Sequence, residues 1–205
     1  MKSSSNRART DRLEGEAGEV LQRRRGFGLA SRQSTGMDSH SVFLADAGAT
    51  AALGQELARS WLAQQEAAKP ILLLEGNLGA GKTSLVQGIA AGLGIGEPVT
   101  SPSFALAQHY QGASPADAAA TALVHLDLYR LEQPAAADEL FAQEEEEALL
   151  LGALLAVEWP GRLSCRPEGA WLVTLQLADP SDPDAGRLAL ISTGLEATPS
   201  GASQG

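Results

Sequence analysis

Gly76-Asn77-Leu78-Gly79-Ala80-Gly81-Lys82-Thr83 fits the pattern G-x-x-x-x-G-K-[ST] at every specified position. Gly76, Gly79 and Gly81 let the backbone turn tightly and bring several N–H groups up to a polyphosphate. Lys82 adds a mobile cation with the reach to meet β- and γ-phosphates. Thr83 offers a hydroxyl to a magnesium ion, and the helix that follows points its positive end at the anion. Gly79, Ala80, Gly81, Lys82, Thr83 and Ser84 are therefore candidate nucleotide contacts, with Lys82 also a candidate catalytic cation.

The flanks supply the context this pattern requires. Upstream, Pro70-Ile71-Leu72-Leu73-Leu74-Glu75 is a short apolar run with a proline at its start, the mark of a buried parallel strand. Downstream, Leu85, Val86, Ile89, Ala90 and Leu93 recur at helical spacing, and Gly92 and Gly94 supply a stop. The rest of the chain alternates in the same way. Ser41 to Leu44 reads as a short strand, and 49–67 as an amphipathic helix with Leu53, Leu57, Trp61 and Leu62 inward. Strands are expected at 104–110 and 122–126, a helix at 140–150 and a strand at 154–157. Two last strands, 171–177 and 187–192, flank the turn Asp179-Pro180-Ser181-Asp182-Pro183. The pattern predicts an α/β fold of the P-loop NTPase kind: a three-layer sandwich with a mostly parallel central sheet, helices on both faces and an antiparallel edge.

The 205 residues carry a formal charge of −10, unevenly placed. Residues 1–36 hold eight Arg/Lys and four Asp/Glu, whereas 37–205 hold seven basic and twenty-one acidic side chains, net −14. An acidic body has no electrostatic grip on a phosphate backbone, which disfavours stand-alone nucleic-acid binding. Residues 1–38 are Ser/Arg/Gly-rich without apolar periodicity and read as a disordered basic extension, with a possible start at Met37. Residues 39–195 read as the folded domain and 196–205 as a frayed tail. The single Cys165 excludes an internal disulfide and suits a reducing cytosol, so a cytoplasmic location is expected. The longest apolar stretch, Ala148 to Val157, is about half of the roughly 20 residues a membrane span needs.

Hydrolysis at such a loop needs a carboxylate that holds or orients Mg²⁺ and a group that positions water. Two apolar runs end in an acid: Ala122-Leu123-Val124-His125-Leu126-Asp127 and Leu154-Leu155-Ala156-Val157-Glu158. Parallel strands deliver their C-terminal residues to the sheet edge that carries the loop, so both acids converge on the γ-phosphate position. Ser101-Pro102-Ser103-Phe104 sits where a phosphate-sensing switch segment lies in many nucleotide hydrolases, and reads equally as a proline turn entering a strand. His109 and His125 lack ligand-spaced partners and are expected in the core. Glu144 to Glu147 is expected to be a solvated helix face or a partner-facing patch, not a site.

Together these segments resemble the TsaE family, the bacterial ATPases of tRNA threonylcarbamoyladenosine biosynthesis. The resemblance rests on EGNLGAGKT (75–83), VTSPSF (99–104), HLDLYRL (125–131), VEWPGRL (157–163) and the opening helix ATAALGQELA (49–58), and covers roughly residues 40 to 192. HLDLYRL followed by VEWP is its most specific part. The resemblance implies binding of ATP and Mg²⁺ and slow hydrolysis in concert with TsaB and TsaD, which transfer a threonylcarbamoyl group to adenosine 37 of tRNAs reading codons that begin with A. It also implies that Thr83 and Glu158 ligate Mg²⁺, that Asp127 orients or activates the water, that Thr50 contacts the nucleotide, and that Trp159 lies near the nucleotide or the partner interface. The chain departs from the family at 132–153, where Leu140-Phe141-Ala142-Gln143 and four glutamates replace a Leu-Gly pair and an aromatic.

Two other function classes share the loop. A small-molecule or nucleoside kinase needs an arginine-bearing lid, yet after Lys82 the chain has only Arg130, Arg162, Arg166 and Arg187. A non-hydrolysing adaptor would use ATP to order a docking surface.

Overall fold

A computed structural model of the protein describes residues 38–65, 69–112 and 121–197. The expected extension, the Gly/Ala/Pro/Asp segment after 112 and the tail beyond 197 lie outside the described residues. Among those described, the chain forms seven strands and three helices. They are β1 (Asp38–Leu44), α1 (Ala47–Leu62), β2 (Leu72–Glu75), α2 (Lys82–Gly92), β3 (Ala107–Gln111), β4 (Ala122–Asp127), α3 (Pro134–Leu151), β5 (Leu154–Glu158), β6 (Trp171–Asp179) and β7 (Asp182–Thr193), with a 3₁₀ turn at Pro160–Arg162.

One sheet runs in the order β1-β7-β6-β2-β5-β4-β3. Its centre, β6-β2-β5-β4, is parallel, while β7 and β1 on one side and β3 on the other pair antiparallel. The expected mostly parallel sheet with one antiparallel edge is therefore an evenly mixed sheet with two. Of the three helices only α3 joins adjacent parallel strands, β4 to β5; α1 and α2 carry the chain between strands that are not neighbours, and the strands that follow each other directly, β3–β4 and β6–β7, pair antiparallel. The β6–β7 hairpin is tighter than expected. Only Pro180 and Ser181 separate the strands, and Asp179 accepts hydrogen bonds from the Ser181 N–H (2.8 Å) and hydroxyl (2.6 Å).

Alternation along the buried strands divides the core. Leu72 and Leu74 join Leu85, Ile89, Leu53 and Leu57 beneath α1 and α2, while Leu73 joins Val124, Leu126, Leu155 and Val157 beneath α3. Helix α1 begins at Asp46, whose carboxylate accepts the Ala49 N–H at 2.7 Å. It ends at Leu62, five residues short of expectation, and Leu62 is exposed. Leu53, Leu57 and Trp61 recur every four residues; Leu62 falls one position round the helix, and Trp61 takes the inward site with its indole N–H on the Pro70 carbonyl at 2.9 Å. Helices α1 and α2 cross on glycines: a Cβ on Gly88 would lie 2.1 Å from the Ala51 carbonyl oxygen, and one on Gly54 2.3 Å from that of Leu85.

Four further expectations are corrected. Strand β3 starts at Ala107, not 104, because the Leu106 N–H closes a turn onto the Pro102 carbonyl and Leu106 adopts a left-handed φ of 67°. Phe104 consequently sits exposed, with the Arg130 guanidinium over its ring. His109 is 41% exposed and not in the core; it meets a buried Glu144 at 2.6 Å. Helix α3 begins at Pro134, six residues early, and the solvated face expected at Glu144 to Glu147 is corrected: four successive glutamates cover more than a full turn, and Glu144 faces inward at 6% exposure. His125 is fully buried, as expected.

Candidate functional site

The turn from β2 into α2 is built on backbone conformations that favour glycine, with φ of 143° at Gly76, 79° at Gly79 and 104° at Gly81. The loop wraps its own lysine: the Lys82 ammonium donates to the carbonyls of Gly76 (2.9 Å) and Asn77 (3.2 Å). It also lies 4.4 Å from the centre of the Trp159 ring. Among the described residues, no side chain caps the start of α2 and no acid occupies its first turn, so its leading N–H groups keep their capacity for an anion.

The two strand-end acids meet beneath this loop. Strands β4 and β5 pair parallel with Asp127 opposite Glu158, and β5 lies beside β2. Glu158 and Asp127 are 3% and 2% exposed, and Lys82 5%. One Glu158 oxygen lies 3.3 Å from the Thr83 hydroxyl and 3.0 Å from His125 Nε2; the other lies 4.0 Å from the Lys82 ammonium. Burial pushes the Lys82 pKa below the ordinary lysine value, against the upward pull of Glu158 and Asp127.

Asp127 is held by the 101–103 segment. Its Oδ2 accepts from the hydroxyls of Ser101 (3.1 Å) and Ser103 (2.6 Å), and its Oδ1 accepts the Tyr129 N–H at 3.0 Å. Trp159, directly after Glu158, takes a left-handed φ of 60°, which tips its ring over Lys82 and against Tyr129, centroids 4.9 Å apart.

These groups line a cleft of about 330 Å³. It gathers Gly79, Gly81, Lys82, Thr83, Ser84, Thr50, Asp127, Glu158 and Trp159, together with Ser101 and Ser103. Ala80 is different: its side chain packs into the core at 2% exposure, and its carbonyl accepts from Arg187 Nε at 3.1 Å. Grooves of about 600 and 510 Å³ also exist, but neither gathers the lysine, the threonine and both acids. Arg187 and Tyr129 line the cleft without having been singled out from the sequence. Arg187 arrives from β7, 107 residues after Ala80, and no local pattern announces that approach. His125 carried a signal: it stands two residues before Asp127, hence on the same face of β4.

The oxygen set of one hydroxyl and two carboxylates suits a hard cation such as Mg²⁺, which takes one or two carboxylates and completes its shell with phosphates and water. The arrangement can bind a polyphosphate, hold a cation beside it and keep a carboxylate within reach of its terminal group. Among the described residues, no helix is long and apolar enough to cross a membrane.

Comparison with known proteins identifies the family of this chain. The family described as Threonylcarbamoyl adenosine biosynthesis protein TsaE matches residues 44–183. A protein of Synechocystis sp., the tRNA threonylcarbamoyladenosine biosynthesis protein TsaE, is 43% identical over 134 residues, 63% of this chain and 76% of its own length. The Nostoc sp. protein of the same name is 38% identical over 139 residues, 67% of this chain and 78% of its own. The crystal structure of Bacillus subtilis YdiB superposes with a TM-score of 0.51 at 23% identity, covering 78% of this chain and 88% of that one, a likeness of fold. With the glycine loop, both strand-end acids and well over half of the chain inside the matched region, the protein belongs to the TsaE family.

Proposed function

We propose that this protein binds Mg·ATP in the cleft under the 76–83 loop and hydrolyses it slowly, in support of threonylcarbamoyladenosine formation at position 37 of tRNAs reading codons that begin with A. Its relatives carry the name of that biosynthesis. The observation that carries the nucleotide reading is the convergence of Lys82, Thr83, Asp127 and Glu158 beneath a loop of left-handed glycines. On the family pattern TsaB- and TsaD-type proteins are the partners, and tRNA is met only through that complex.

Thr83 and Glu158 would hold the Mg²⁺, whose bound form neutralises charge on the β- and γ-phosphates. Lys82 exchanges its two loop carbonyls for phosphate oxygens and stabilises the charge that builds up as the terminal phosphoryl leaves. Asp127 orients the attacking water through Oδ1, which accepts only the Tyr129 N–H and retains a lone pair, while Oδ2 is taken up by the hydroxyls of Ser101 and Ser103. Ser101 and Ser103 fix that carboxylate, so the 101–103 segment registers where Asp127 points. Trp159 covers the ammonium and keeps water from it.

Phosphate release from ATP, measured with and without TsaB- and TsaD-type partners, tests the reading. Slow turnover that rises with the partners supports it. Transfer to a free small molecule would identify a kinase, and binding without turnover under every condition an adaptor.

A further inference from the structure

The mechanism above uses Glu158 but not the residue beneath it. His125 is fully buried, and its Nε2 lies 3.0 Å from the Glu158 oxygen that also lies 3.3 Å from the Thr83 hydroxyl. Its second nitrogen, Nδ1, is buried with no hydrogen-bond partner. A carboxylate oxygen only accepts, so Nε2 carries the hydrogen and Nδ1 the bare lone pair; the other tautomer would bury a donor with nothing to receive it. A leucine would fill this place in the strand without leaving a nitrogen orphaned. What the imidazole adds is the single bond to Glu158.

That bond decides where the carboxylate points. The other Glu158 oxygen stands 4.0 Å from the Lys82 ammonium, at the outer limit of an ion pair and beyond hydrogen-bond reach, while the ammonium rests on two loop carbonyls. Without a donor beneath it, Glu158 is free to swing toward Lys82 and close a buried ion pair, which would take both the lysine and the acid away from a ligand. With the imidazole in place, one oxygen is pinned beside Thr83 and the lysine stays with its loop.

We infer that His125 is a positioning residue that locks the Glu158 carboxylate next to the Thr83 hydroxyl and off Lys82, so that the two oxygens stand ready for the divalent cation. This rests on the Mg·ATP reading above, and the test separates the two. Calorimetry with the non-hydrolysable analogue AMPPNP, in excess EDTA and in excess Mg²⁺, gives the gain in affinity that the metal confers, with no turnover involved. The variants are His125→Gln, whose amide N–H can take the place of Nε2; His125→Asn, whose shorter amide cannot; and His125→Leu.

The expected result is a metal gain kept within about threefold in H125Q and reduced about tenfold or more in H125N and H125L, with metal-free affinity little changed in all three. A full gain in H125N or H125L overturns the inference, as does a gain that tracks the melting temperature of each variant and not the presence of the donor. Long-range ¹H–¹⁵N correlation spectra of the unmodified protein, which has three histidines, test the same point independently of how the variants fold. A hydrogen on His125 Nε2 with a bare Nδ1 is expected, and the reverse tautomer refutes the inference. If the unmodified protein itself gains nothing from Mg²⁺, the nucleotide reading fails, whichever tautomer is found.

Discussion

Replacing Gly88 by alanine tests the packing that gives the cleft its width. Glycine in mid-helix is disfavoured, so alanine alone should stabilise α2 by about 1 kcal/mol. The crossing with α1 opposes this. The new methyl would stand 2.1 Å from the Ala51 carbonyl oxygen, and Cβ atoms essentially never approach within 3.0 Å of another heavy atom. The helices must therefore part by roughly 1 Å, in an interior packed at near-crystalline density. The obstacle is backbone and has no other rotamer to adopt, which places the penalty near the upper end of the about 1–3 kcal/mol typical of overpacking.

The net loss is about 2 kcal/mol, and at about 2–4 °C per kcal/mol for a domain of this size Tm falls by about 4–8 °C. Thermal unfolding followed by circular dichroism reads this directly. Gly96→Ala is the control: nothing lies within 4 Å of a Cβ there, and the change should be nearly silent. Gly54→Ala meets the Leu85 carbonyl at 2.3 Å; since it opens the same gap, the double variant should lose less than the two single losses added together. Nucleotide affinity should fall with stability, because α1 brings Thr50 and α2 brings Thr83 to the same cleft. A Gly88→Ala protein that melts at or above the parent temperature would refute the close crossing and the reason given for the glycine.

Lys82→Met should abolish detectable nucleotide binding yet stabilise the empty protein at pH 7 by about 0.5–2 kcal/mol. Burial holds the Lys82 ammonium below its ordinary value, so folding sheds its proton in the alkaline range and the parent protein gains stability as pH rises from the folded to the unfolded pKa. The variant lacks this titration, and its advantage should narrow over that alkaline window; a parent protein that is the more stable at pH 7 contradicts the assignment. Asp127→Ala should retain ATP and slow hydrolysis by about 30- to 1000-fold, the equivalent of about 2–4 kcal/mol for a lost water-positioning group; unchanged turnover removes Asp127 from the mechanism. Asp46→Ala should cost about 1 kcal/mol through the lost cap of α1 and leave the metal-dependent gain in affinity intact.

What could be read from the sequence was governed by the range of the forces involved. The 76–83 loop is local: three glycines at fixed spacing between an apolar run and a helical one define their own geometry, and the strand and helix around them formed within a residue or two of expectation. Asp127 and Glu158 came from a rule of topology, since parallel strands end at a common edge, and their register bears it out. Phe104 looked like the start of a strand because aromatic residues favour strands, but one backbone hydrogen bond from Leu106 to Pro102 closed a turn there. His109 and Glu144 misled for a related reason. Each is polar in an ambiguous setting, and only their meeting, between an edge strand and a helix that starts at Pro134, exposes the one and buries the other. Arg187 was out of reach because it enters the cleft from a hairpin at the far end of the chain.

The placement of charge explains why the site is built from short-range contacts. Residues 37–205 carry a net −14, so the long-range field of this part of the chain opposes a triphosphate instead of drawing it in. Attraction has to come from groups that act at contact: the uncapped N–H groups of α2, the glycine-turned amides, and the cations of Lys82 and Arg187. The Lys82 ammonium is buried within 4.0 Å of Glu158 and feels the charge of Asp127 as well, while the Arg187 guanidinium also lines the cleft. An anion entering alone would meet two buried carboxylates as well as Lys82 and Arg187, both already engaged with backbone carbonyls. On the proposed reading a divalent cation entering with it offsets the two carboxylates, and Thr83 and Glu158 stand where their oxygens serve that cation. The acidic body and the cation-seeking pair then make a single selectivity filter, favouring the metal–nucleotide complex over the free nucleotide by both attraction and repulsion.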